Sequence, residues 1–156
     1  MTIQEMGALG EMIGGIAVVI SLIYVGLQVR QNSNSVRSAS QIALRQLGTE
    51  ITSQLAAPDM ARIYTQGLKD LSPLPAEDRA RFNSLMLSLF GIYEAYYFQI
   101  YFGIIPQELQ SKHPHAQALF HLQKRGGKQW WDGGGRDQFS DKFVEKLEQA
   151  QGKPAA

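Results

Sequence analysis

The chain has 156 residues, a length that fits one domain. Its net charge of +1 singles out neither nucleic acid nor an acidic partner, and the lack of cysteine excludes disulfides, thiolate nucleophiles and Cys-ligated metals. Charged residues are 19% of the chain, below the common share of about a quarter, and the deficit is local, because no charge stands between Glu11 and Arg30.

That charge-free interval, Met12 to Val29, holds the branched aliphatics Ile13, Ile16, Val18, Val19, Ile20, Leu22, Ile23, Val25, Leu27 and Val29. As a helix it would cover roughly 27 Å, close to a bilayer's hydrocarbon thickness. At about −0.3 to −0.6 kcal/mol for each such residue at mid-span, insertion is favourable even after Ser21, Gln28 and the glycines are counted against it. A soluble core helix would show a polar face, and this one shows no charged face. A cleaved signal peptide would need a basic leader, and no Lys or Arg precedes Arg30. The pattern predicts a single transmembrane helix at about residues 10–30, with residues 1–30 as a membrane unit. Its N-terminal flank carries Glu5 and Glu11, and its C-terminal flank carries Arg30, Arg37 and Arg45. Basic flanks stay on the cytoplasmic side, so the N-terminus is expected outside and the rest of the chain inside. That remainder holds 15 basic and 12 acidic residues (14 less Glu5 and Glu11), a net +3 that does not suggest nucleic acid.

Small and polar residues recur along the same helix at Gly7, Gly10, Gly14, Ala17, Ser21, Tyr24 and Gln28, alternating steps of three and four. This is a heptad seam. Gly10 and Gly14 form a GxxxG pair, and Ala17 and Ser21 a second small pair. Such residues let helix backbones approach in lipid, and Ser or Gln can bond across the contact. The seam is therefore an expected interface with a second copy or with another membrane protein, against the plainer reading that glycine is common in spans.

The polar run "RQNSNSVRSAS" contains no Pro or Gly, so the helix is free to run on. Val36, Leu44, Leu47, Ile51 and Leu55 form an amphipathic stripe that should end before Pro58. A short helix, "DMARIYTQGLKD", follows from Asp59, and "LSPLP" is a loop. The longest cytoplasmic helix is expected from about Pro75 to Phe102, with Pro75 at its first position and Phe82, Met86, Leu89, Tyr93, Tyr96 and Ile100 on its buried face. "FGIYEAYYFQIYF" resembles a second span in length, but a central Glu94 would cost roughly 2.5–3.5 kcal/mol in lipid, which favours a buried core helix. A helix beginning near Pro106 should kink at His113-Pro114. "RGGKQWWDGGGRD" reads as a turn, a Trp-bearing segment and a flexible loop. "SDKFVEKLEQ" reads as a closing helix with Ser140 as N-cap. The cytoplasmic helical domain would occupy residues 31–151 and a frayed tail 152–156. The fold class is all-α.

Little in the sequence carries chemistry. His113, His115 and His121 lack the companions a zinc site needs and read as loop or surface histidines. "GGKQWWDGGG" lacks the phosphate-loop frame, and neither GxSxG nor HExxH occurs. No cofactor and no enzymatic activity is expected. Glu94, among aromatic neighbours, needs a partner if ionised. Arg62, Arg81 or a tyrosine hydroxyl would serve structurally, and a ligand contact is the functional alternative. Trp130 and Trp131 are the other candidates for partner contact, although at least one is expected to pack over the aromatic helix.

The segments "GEMIGGIAVVISLIYVGLQVRQNSNSVRSAS", "DMARIYTQGL", "RFNSLMLSLFGIYEAYYF" and "GGKQWWDGG" together span most of the chain. Through them it resembles an uncharacterised family of small bacterial proteins with one N-terminal transmembrane helix and a cytoplasmic all-helical domain. Pro114 and the triple glycine Gly133 to Gly135 depart from that pattern. The resemblance implies the bacterial inner membrane as location and carries no catalytic residues. The expected function is an interaction or scaffold protein assembled through its span. The alternative is a membrane-tethered small-molecule or lipid sensor with a pocket near Glu94.

Overall fold

The computed structural model describes residues 3–105 and 116–152, and among these every regular element is helical. Helix α1 runs Ile3–Ala56, α2 Pro58–Lys69, α3 Ala76–Tyr101, α4 Ala116–Leu122, α5 Arg125–Trp130 and α6 Asp141–Ala150; a π turn, Trp131–Gly135, and a 3₁₀ turn, Arg136–Gln138, link the last two helices. The expected helix at Pro106, the kink at Pro114, His113, His115 and the tail beyond Gly152 lie outside the described residues. Contacts divide the chain into two units, residues 1–41 and 42–156.

The first unit is one helix. The polar stretch after Arg30 stays helical, and its hydroxyls bond back to the preceding turn. Ser33 Oγ donates to the Val29 carbonyl at 2.9 Å and Ser35 Oγ to that of Gln31 at 3.1 Å. One helix among the described residues is long and apolar enough to cross a membrane; its mean hydropathy reaches 2.2 over an 18-residue window, and no part of that window is buried. All ten branched aliphatics between Ile13 and Val29 are more than half exposed.

The second unit holds the core. The last turns of α1 contribute Ile51, which is buried, and Leu44 and Leu55, which are half-buried. Leu47 is exposed, and Val36, in the first unit, is exposed as well, so the expected five-residue stripe contracts to three. Proline starts α2 at Pro58, where its missing N–H costs nothing. Pro75 is the N-cap residue of α3, one position before the helix, not its first residue.

The buried side of α3 is Phe82, Leu85, Met86 and Phe90, continued by Leu89, Tyr93 and Tyr97 at the core margin. Phe82, Met86, Leu89 and Tyr93 lie on the core side as expected, with Phe90 buried among them, and the aromatic that continues this face is Tyr97, not Tyr96. Rings of Tyr93, Trp130, Trp131, Phe139 and His121 surround Phe90 with centroids 5.0–6.1 Å away. Helix α6 adds Phe143 and Leu147, one turn apart and both buried.

Segment 125–135 departs most from the sequence reading. Gly126 and Gly127 are helical and buried, not a turn. A Cβ on Gly126 would stand 1.7 Å from the Gly67 carbonyl oxygen, so α2 and α5 touch through their backbones. Gly133 to Gly135 form the π turn in place of a flexible loop. Gly134, at φ +112°, supplies the left-handed residue at its kink.

Candidate functional site

The seam of α1 is open. Gly7, Gly10, Gly14, Ala17, Ser21, Tyr24 and Gln28 are all exposed, and a Cβ on Gly7, Gly10 or Gly14 would meet nothing within 4 Å. Among the described residues nothing covers these glycines, which leaves the small side of the helix open to the close approach of another helix.

Glu94 has a structural partner that the sequence reading did not name. Its Oε1 accepts the backbone N–H of Ser140 at 2.8 Å and the Ser140 hydroxyl at 2.6 Å. Ser140 does occupy the N-cap position of α6, but its side chain makes no capping bond. A carboxylate from α3 takes over, tying down the first turn of α6 and placing negative charge at its positive end. Arg62 and Arg81, the expected partners, pair elsewhere: Arg62 with Asp78 at 3.0 Å, and Arg81 with Asp59. Both pairs join α2 to α3.

Trp130 and Trp131 are buried, at 5% and 3% exposure, so neither is a surface anchor. Trp130 Nε1 donates to Asn83 Oδ1 at 2.8 Å, which gives the buried indole N–H its acceptor on α3.

His121 is the residue the sequence reading missed. It is buried, not on the surface. Nδ1 donates to the Gln117 carbonyl at 2.6 Å, and because a carbonyl only accepts, this selects the tautomer. Nε2 then accepts the Tyr64 hydroxyl at 2.8 Å. Burial lowers the His121 pKa from its ordinary value, opposed by the Gln117 carbonyl. Burial also raises Tyr64, and it pushes neighbouring Tyr93 up to about 12 with help from Tyr64. The result is a neutral polar pair inside an aromatic wall, joining α2 to α4. Ala118, His121 and Leu122 share the buried side of α4, a periodicity present in the sequence but read past because histidine is usually exposed.

A cleft of about 1020 Å³ lies beside α3 and the Trp–Gly segment. Arg79, Asn83, Leu87, Gln129, Trp130 and Gly134 are among its walls, and Glu94 is not. Gln129 is held there on both sides, accepting the Leu71 N–H at 2.8 Å and donating to Asp70 at 3.0 Å. No family model, curated protein or solved structure matches the chain.

Proposed function

We propose that this chain is a single-pass protein of the bacterial inner membrane that assembles through its N-terminal helix and docks a cytoplasmic partner through its helical domain. The proposal includes kinship with the small single-span bacterial proteins it resembles. The observation that carries it is the wholly uncovered apolar window of α1. An exposed apolar surface of this extent is unstable in water and is stable in lipid. The open glycine seam on the same helix supports a partner helix, either a second copy or another membrane protein. The basic flank from Arg30 supports an inward-facing C-terminal domain. The protein is expected to remain in the membrane fraction after an alkaline carbonate wash, and a reporter fused after Ala156 should read as cytoplasmic. Release by carbonate would remove the membrane assignment, and a periplasmic reporter would reverse the orientation.

A second reading, a membrane-tethered small-molecule sensor, is favoured by the cleft at Asn83 and Trp130, whose volume suits a small ligand. Leu87→Trp should block a ligand seated there while leaving membrane association unchanged.

A further inference from the structure

Lys69 ends α2, and Lys124 and Arg125 stand where α4 passes into α5. The fold brings these three cations to one groove of about 500 Å³, shared with Tyr64, Thr65 and Phe120. No Asp or Glu is among its described lining residues. Two of the three neutral polar side chains are already committed, the Tyr64 hydroxyl to His121 and Thr65 Oγ1 to the Ala61 carbonyl at 2.7 Å, and Gln123 is the third. Arg125 reaches Asp70 at 3.2 Å, and Lys124 Nζ stands 4.9 Å from the centre of the Phe120 ring. The Lys69 ammonium has no ion pair or hydrogen bond among the described residues, although the negative end of α2 balances part of its charge. Asp70, which pairs with Arg125, is further engaged by Ser72 and Gln129 and does not line the groove.

Three like charges around one concave surface repel one another unless an anion joins them. A phosphate offers several acceptor oxygens to diverging ammonium and guanidinium donors. The aromatic wall of Tyr64 and Phe120 adds a place for an apolar portion attached to it. We propose that this groove binds a phosphate-bearing anion through Lys69, Lys124 and Arg125. The anion comes either from the headgroup of an acidic lipid or from a soluble phosphate compound. This site is separate from the cleft at Asn83, and its occupation by soluble phosphate does not depend on α1 crossing a bilayer.

The test uses the full chain in a nonionic detergent. Inorganic phosphate is titrated calorimetrically, and short-chain phosphatidylglycerol and phosphatidylcholine are compared as adducts by native mass spectrometry. Binding of phosphatidylglycerol without phosphate assigns the headgroup source, and binding of both assigns the phosphate group itself. The double variant Lys69→Gln/Lys124→Gln should weaken binding about 25-fold, at about fivefold for each surface cation, and Lys124→Gln alone about fivefold. All are exposed positions, and unchanged circular dichroism will show that the fold is kept. Lys146→Gln, on α6 and outside the groove, should bind as the unaltered chain does. The proposal is overturned if neither probe binds, if phosphatidylcholine binds as well as phosphatidylglycerol, or if the double variant and Lys146→Gln behave alike.

Discussion

Glu94→Ala removes an acceptor that two donors of Ser140 share, and the structure predicts what that costs. Hydrogen bonds to a charged group contribute about 1.5–3 kcal/mol each, and loss of a helix cap about 0.5–2 kcal/mol. Glu94 and Ser140 are both half-buried, so water replaces part of what is lost. A destabilisation of about 2–4 kcal/mol is therefore expected for Glu94→Ala, taken from the lower part of those ranges. Glu94→Gln keeps a carbonyl oxygen in the same place and loses only the charge. It should cost about 1 kcal/mol, the size of a helix-dipole contribution. Ser140→Ala keeps the backbone N–H bond and loses the hydroxyl bond, again about 1 kcal/mol. In the double variant Glu94→Ala/Ser140→Ala the hydroxyl has no partner left to lose, so the double should cost no more than Glu94→Ala. The coupling is then about 1 kcal/mol. Urea unfolding of the full chain in mild detergent, followed by the fluorescence of the buried Trp130 and Trp131, reads the second unit without interference from α1. If Glu94→Gln is as damaging as Glu94→Ala, or the two single variants are additive, Glu94 does not cap α6 and the account is wrong.

The backbone crossing of α2 and α5 gives a sharper contrast. Gly126→Ala places its methyl 1.7 Å from the Gly67 oxygen and should cost about 3 kcal/mol, whereas Gly133→Ala, with nothing within 4 Å, should stay within about 0.5 kcal/mol in the same unfolding assay. Because the folded His121 pKa is lowered, the unfolded chain takes up a proton that the native chain refuses. Its contribution is complete above pH 6.5 and is lost as pH falls from there toward the folded value, with a slope of up to about 1.4 kcal/mol per pH unit. His121→Gln should flatten the stability profile below about pH 6.5; an unchanged profile would mean that His121 does not titrate differently in the folded and unfolded chain. Gly14→Ile should weaken helix association in a membrane reporter assay while insertion is kept, and Val18→Leu should not; equal behaviour would show that the seam is not an interface.

Local chemistry and period were readable from the sequence alone. The charge-free apolar run, the stop before Pro58, the start of α3 within one residue of Pro75 and the amphipathic close at α6 all depend on neighbours within a few residues. Each follows from proline geometry, helix period or the cost of burying charge. The phase of α3 was less readable, because an aromatic-rich helix offers adjacent faces of similar hydrophobicity. Packing against Trp130, Trp131 and Phe139 chose the one centred on Phe90. The partners of polar groups were not readable at all. Ser140 lies 46 positions from Glu94, and His121 lies 57 from Tyr64. Glycine was misread for a related reason. In isolation Gly126 and Gly127 favour a turn, but between packed helices a missing side chain is what allows backbones to meet. Tertiary structure decided these features because close approach and buried hydrogen bonding depend on which distant segments share a core, and helix period carries no information about that.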